Sequence, residues 1–242
     1  MRLTVLGRFG PFPPPGGACS GYLVESGDTR LLLDCGSGVI ANLRRVCPAA
    51  GLTGVVVSHW HMDHASDLGV LRYALEAQAA APLPVVAPAT PDDAASLFLG
   101  NGAFLWEPSR PEREYSFGSL TVRLFPVVHP VETYAVRVSD GVHSLFYTGD
   151  TAYFPELAEA VAGADVLLAD ACFAGAACAP RPVHMTAAET ARLARESGAK
   201  RLLLTHLDGG TEAAAATLER IVAAGIDFSP AMVVQDMGIM DI

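Results

Sequence analysis

Lysine is almost missing from this 242-residue chain: Lys200 stands alone among 16 basic residues, against 26 acidic ones. The arginines form no stripe, the nearest groupings being Arg44 with Arg45 and Arg192 with Arg195 and Arg201. With a formal charge of -10, this excludes broad attraction to a nucleic-acid backbone, which draws on clustered cations. A local phosphate pocket in which metal ions carry the positive charge is not excluded. Cysteines occur at 19, 35, 47, 172 and 178, an odd number with no CxxC pair, which speaks against a zinc ribbon or a complete disulfide framework. Buried thiols are the expectation. No segment approaches the roughly 18 uninterrupted apolar residues of a membrane span, and the apolar run in residues 1–7 is too short for a signal peptide. A soluble, cytoplasmic protein without membrane partners is expected. Gly-rich phosphate loops and dinucleotide motifs are missing too.

What is present is apolar: 51% of residues are hydrophobic and only 17% charged, enough for a sizeable core. Residues 2–6, 20–25 and 30–34 read as strands between Gly- and Pro-rich turns, the stretch Pro11-Phe12-Pro13-Pro14-Pro15-Gly16-Gly17 being a stiff loop. Residues 39–46 have helical spacing, 55–57 suit a buried strand, and Leu68, Leu71, Ala74 and Leu75 mark one helix face. Further strands are expected at 85–86, 119–125, 133–138 and 143–148. The last third alternates helices at 155–162, 187–196 and 211–224 with strands at 166–170, 202–205 and 232–234. Thr186 and Glu189 have capping-box spacing. Strands followed by alternating strands and helices imply packed α/β layers in one compact domain, residues 1–242. A short echo links Leu31-Leu32-Leu33-Asp34 with Leu145-Phe146-Tyr147-Thr148-Gly149-Asp150, each ending an apolar strand on an acid.

The run His59-Trp60-His61-Met62-Asp63-His64 directly follows a buried strand, so one short loop projects three imidazoles and a carboxylate into a common space. Imidazole nitrogen and carboxylate oxygen suit zinc, and also manganese or iron. Here the sequence resembles the metallo-β-lactamase superfamily, whose signature is His-x-His-x-Asp-His and whose fold is a four-layer αββα sandwich. The resemblance extends to His129 in Val127-Val128-His129-Pro130, Asp150 in Tyr147-Thr148-Gly149-Asp150-Thr151 and His206 in Leu204-Thr205-His206. It implies that His59, His61 and His129 hold one divalent ion, that Asp63, His64 and His206 hold another, and that Asp150 bridges them. It also implies hydrolysis by a hydroxide shared between two ions, zinc first, roughly 3.5–4 Å apart, with Asp63 orienting the nucleophile. With these sets full, Cys172 and Cys178 are left without a role, and Asp34 and Asp170 are read as supports behind the ligands.

His184 in Val183-His184-Met185-Thr186 resembles the His-x-Thr motif of the ribonuclease Z branch, which implies general-acid duty on a phosphate leaving group. Asp170 acting with His184 is the sharper reading of that acid. His143 has no partner motif and reads as structural. Departures from the branch weigh against a tRNA substrate: the span between His129 and Asp150 has no room for a long tRNA-gripping arm. Gly16-Gly17-Ala18-Cys19-Ser20 also stands where a Pro-Thr-x-x-Arg-Asn pattern is usual. The expected substrates are small or cyclic nucleotide-like phosphodiesters. Lactone, thioester or other acyl-ester hydrolysis on the same site is the alternative, and a noncatalytic metal-binding regulator is the third. The apolar set Leu97, Phe98, Leu99, Phe104, Leu105 and Trp106 suits either an interior packing cluster or the surface of a homodimer.

Overall fold

The computed structural model describes residues 1–100, 102–172, 183–207 and 231–242. Its first half carries β1 (Arg2–Gly7), β2 (Gly21–Ser26), β3 (Thr29–Leu33), α1 (Val39–Leu43), β4 (Gly54–Val56), α2 (Met62–Ala65), α3 (Leu68–Ala77), β5 (Leu83–Ala87), α4 (Asp92–Leu99) and β6 (Phe104–Pro108). The second half adds β7 (Glu114–Phe117), β8 (Leu120–Pro126), β9 (Tyr134–Ser139), β10 (Ser144–Tyr147), α5 (Leu157–Val161), β11 (Val166–Asp170), α6 (Ala187–Ser197), β12 (Arg201–Thr205), β13 (Ala231–Val233) and β14 (Ile239–Asp241). The helix expected at 211–224 lies outside the described residues, as does Cys178.

Two seven-stranded sheets result, ordered β14-β1-β2-β3-β4-β5-β6 and β7-β8-β9-β10-β11-β12-β13. Each has three antiparallel pairings followed by three parallel ones, so β3 and β10 are the strands at which pairing changes sense. These are the two strands of the Leu-rich echo. Successive side chains of a strand point to opposite faces, and continuous apolar runs form where both faces are covered. In β3, Leu31 and Leu33 face the interior shared with the other sheet while Leu32 faces α1 and α3. Likewise β11 sends Val166 and Leu168 between the sheets and Leu167 and Ala169 toward α5 and α6. Three apolar layers therefore separate four structural ones, and the αββα sandwich follows from the strand pattern.

Helix α3 buries Leu68, Leu71 and Leu75 as their spacing requires. Helix α6 starts on a complete capping box: Thr186 accepts the Glu189 N–H while Glu189 accepts the Thr186 N–H. It ends at Gly198 in the left-handed region, φ 66°. Replacing the cap, Thr186→Ala, is expected to cost about 1 kcal/mol, read as a lower urea midpoint with an unchanged slope. Elements β6, β7, α4 and β14 lie outside the sequence expectations, although β7 alternates buried Tyr115 and Phe117 with exposed neighbours and α4 buries Ala95, Phe98 and Leu99; β14 is three residues on an edge. The apolar set from Leu97 to Trp106 splits. Phe98, Leu99 and Phe104 are core, whereas Leu97, Leu105 and Trp106 remain at the surface. Among the described residues, no helix is long and apolar enough to cross a membrane.

Candidate metal centre

The residues singled out for chemistry gather on one rim of the sandwich, most of them just past or at a strand's C-terminal end. His59 and His61 follow β4, Asp63 and His64 lie in α2, and His129, Asp150 and His206 follow β8, β10 and β12. Asp34 follows β3, Asp170 closes β11, and His184 precedes α6. Ligand sites of open α/β sheets favour such ends, where loops diverge at a change of strand order. The backbone is held against its preferences there: Asp34 (φ 57°) and His206 (φ 53°) occupy the left-handed region that favours glycine. Two glycines admit close approaches. A Cβ on Gly10 would overlap the His206 ring, and one on Gly36 would overlap the Asp63 carbonyl.

His59 Nε2 stands 2.9 Å from His61 Nδ1, which is 3.2 Å from His129 Nε2. Neighbouring hydrogen bonds settle what those nitrogens carry. Ser58 Oγ donates to Asp34 Oδ2 (2.8 Å) and so accepts from His59 Nδ1–H (3.0 Å). His129 Nδ1–H donates to the Val183 carbonyl (3.0 Å). The opposite nitrogens, His59 Nε2 and His129 Nε2, are therefore lone pairs facing His61. Lone pairs held about 3 Å apart repel unless a cation sits among them, and tetrahedral zinc with Zn–N near 2.0–2.1 Å spaces its nitrogens by about 3.3 Å. Burial, followed for His59 by the nearby charge of His64, keeps all three imidazoles below the ordinary histidine range, in the neutral form a metal requires.

The second cluster is richer in charge. His206 Nε2 lies 3.1 Å from Asp63 Oδ2 and 3.2 Å from Asp150 Oδ2. His64 Nε2 lies 3.2 Å from Asp150 Oδ1, yet neither atom meets hydrogen-bond geometry with a partner among the described residues. Asp34 fixes His64 from behind by accepting Nδ1–H at 2.8 Å, and accepts Tyr147 O–H at 2.7 Å and Ser58 N–H at 2.6 Å. Burial opposes charge on Asp150, but His206, His64 and His59 outweigh it and hold its carboxyl well below the usual range. For His64, burial is overcome by Asp150 and Asp34, which hold it well above the histidine range. Asp34, Asp63, Asp150 and Asp170 are all buried, and among the described residues their ion-pair partners are histidines. Four buried carboxylates without lysine or arginine are costly unless cations share the space. The donor set thus fits divalent ions.

Donor atoms gather in two groups that overlap at one residue. His59, His61, His129 and Asp150 bring donor atoms within 4.8 Å of one another, and so do Asp63, His64, Asp150 and His206. Asp150 belongs to both. His184 joins the rim, its Nδ1–H donating to Asp170 Oδ2 at 2.8 Å and lying 3.9 Å from Asp150 Oδ2. Burial lowers its pKa, but Asp170 and Asp150 prevail and raise it to about 9. His143 stands apart beside Asp140. Sequence reasoning missed Ser58 and Tyr147, whose only signal was proximity to the motifs. It also missed Glu132, whose carboxylate accepts Thr90 N–H (2.8 Å) and Tyr134 O–H (2.8 Å), tying the loop after β5 to the one bearing His129.

A four-layer αββα sandwich with histidines and aspartates converging on one rim defines a metallo-β-lactamase-fold protein of the ribonuclease Z-like branch. The chain belongs to the β-lactamase superfamily: the model described as "Beta-lactamase superfamily domain" matches residues 29–207. It is 34% identical over 212 residues to the probable metallo-hydrolase YhfI of Bacillus subtilis, covering 86% of this chain and 87% of that protein. The crystal structure of YhfI superposes with a TM-score of 0.91 at 31% identity, covering 99% of this chain and 98% of YhfI. A ribonuclease Z of Mycobacterium bovis is 31% identical over 196 residues, 69% of each chain. The short form of human tRNase Z, 19% identical, shares the fold (TM-score 0.78, 100% of this chain and 99% of that one).

Proposed function

We propose that this metallo-hydrolase cleaves small phosphodiesters, linear or cyclic and nucleotide-like, with two divalent ions held by His59, His61 and His129 on one side and Asp63, His64 and His206 on the other. Asp150 touches both. Zinc is the proposed ion, with manganese and iron accepted by the same donors. Two such ions, when bound, make water a nucleophile near neutral pH and stabilise charge on the attacking and departing oxygens.

The observation that carries the phosphorus reading is the His184–Asp170 couple at 2.8 Å on the rim of the donor cluster. Phosphodiester cleavage expels an alkoxide that needs a proton, and His184 is a cationic acid whose ring centroid lies 5.5 Å from that of His129 and 5.0 Å from that of His206. Asp170 holds the ring: its Oδ2 accepts His184 Nδ1–H and Thr151 N–H, and its Oδ1 accepts Cys172 N–H. Asp63 would also orient the attacking water through its second oxygen, its Oδ2 lying 3.1 Å from His206 Nε2. The 31% identity with a ribonuclease Z supports this reading, while the charge of -10 favours substrates smaller than tRNA.

The test compares initial rates of zinc-loaded and metal-stripped protein on bis(4-nitrophenyl) phosphate and cyclic nucleotides against lactones and thioesters. Metal-dependent turnover of the phosphorus esters is expected. Turnover confined to the acyl compounds sinks the phosphodiester assignment, and none on either panel sinks the hydrolase.

A further inference from the structure

Two residues beyond Asp170 the chain places Cys172, a half-buried thiol that belongs to neither of the two four-residue groups made by the seven ligands. Its Sγ, one ring nitrogen of His184 and one of His206 lie within 4.8 Å of one another. The Cys172 N–H donates to Asp170 Oδ1 at 3.0 Å, so the thiol's backbone is anchored to the carboxylate that also receives His184. An independent observation points to a ligand here. His206 is buried, its Nε2 faces Asp63 and Asp150, and its Nδ1 has no hydrogen-bond partner among the described residues, standing 3.7 Å from Asp170 Oδ1.

We propose that Cys172, His184 and the second ring nitrogen of His206 form a third cation position, sharing the His206 ring with the two-ion set, that takes a thiophilic divalent ion and silences the enzyme when filled. Sulfur with two imidazoles selects zinc, cobalt or cadmium over manganese, which prefers oxygen. The His/Asp clusters accept manganese, so donor chemistry separates the positions. The 4.8 Å limit is wider than the spacing of tetrahedral donors, about 3.3–3.6 Å, so the ion draws the three donors together on binding. Binding releases the thiol proton and the His206 ring proton to solvent, leaving His206 as an imidazolate shared by two ions, and takes the His184 ring in its neutral form, with no change of oxidation state. The silencing, though not the binding, rests on His184 being the proton donor, since an ion on that ring leaves no proton to deliver.

The experiment titrates the metal-stripped full chain with Co2+, following bound equivalents, visible cobalt bands, near-ultraviolet thiolate-to-cobalt absorption and phosphodiester turnover. Wild type is expected to bind two equivalents with gain of activity. A third equivalent then brings the sulfur band and loss of activity. Mn2+ activates without a third equivalent or inhibition. Cys172→Ser keeps the two visible-band equivalents, which report its fold, loses the sulfur band, and weakens the third ion at least about tenfold. Saturation at two without a sulfur band overturns the third position, as does a sulfur band that survives Cys172→Ser. Absence of any bound cobalt overturns it together with the two-ion reading, so the two failures are told apart.

Discussion

Asp150→Asn is expected to lower phosphodiester turnover at least about 10³-fold, roughly 4 kcal/mol of transition-state stabilisation, and to lower bound metal below two per chain. Asp150 alone contributes to both donor clusters, and its Oδ1 and Oδ2 face different histidines, His64 at 3.2 Å and His206 at 3.2 Å. The amide keeps the shape, but it replaces one acceptor oxygen with a donor and removes the negative charge opposite two cations. Any ligand bound only by the folded state raises the unfolding temperature by mass action, so added zinc raises the wild-type midpoint and raises that of Asp150→Asn much less. Metal analysis and melting with and without zinc check this. Two tightly held ions and wild-type turnover in the variant would remove Asp150 from the centre.

His184→Ala has the next largest expected effect, a fall in kcat of about 10²–10⁴-fold on substrates with alkoxide leaving groups and two metals retained. A nitrophenolate leaves without a proton, so on bis(4-nitrophenyl) phosphate the same variant loses far less. That contrast distinguishes an acid from a structural support, which would slow both substrates alike. The pH dependence carries a definite sign. A general acid works protonated, so wild-type kcat falls as pH rises through the His184 value. Asp170 and Asp150 raise that value to about 9 in the metal-free protein, and nearby dications bring it lower. The falling limb therefore lies at or below about pH 9, and it disappears in His184→Ala. Equal losses on both substrates with the limb intact would assign His184 to structure alone.

The centre was legible where its chemistry is local. His59, His61, Asp63 and His64 occupy six consecutive positions after an apolar strand, and no packing requirement produces that combination. Helix α6 was legible because a capping box needs only residues 186 and 189. The alternation of Leu31, Leu32 and Leu33 between two apolar layers marked a strand covered on both faces, and with it the sandwich. The rest depends on partners far away in sequence. Asp34 looks like any strand-ending acid until Tyr147, 113 positions later, donates to it. Cys172 had no partner in view because His184 and His206 reach it only through the parallel pairing of β11 and β12. Strands β6 and β14 take their conformation from the neighbours they pair with, Leu83–Ala87 and Arg2–Gly7, and a short edge has little pattern of its own.

The contacts that close the rim span great lengths of chain: Asp34 to Tyr147 crosses 113 residues, Asp63 to His206 crosses 143, and Tyr22 to Thr205 crosses 183. Loop-closure entropy must be spent before such contacts return anything, so topologies of this kind fold slowly and assemble distant pairs late. No fragment that stops before β12 holds both clusters, because His206 is still missing. During synthesis the nascent protein thus has no complete cation trap until β12 and His206 have emerged, and loading with metal becomes a check that the two sheets have docked in register.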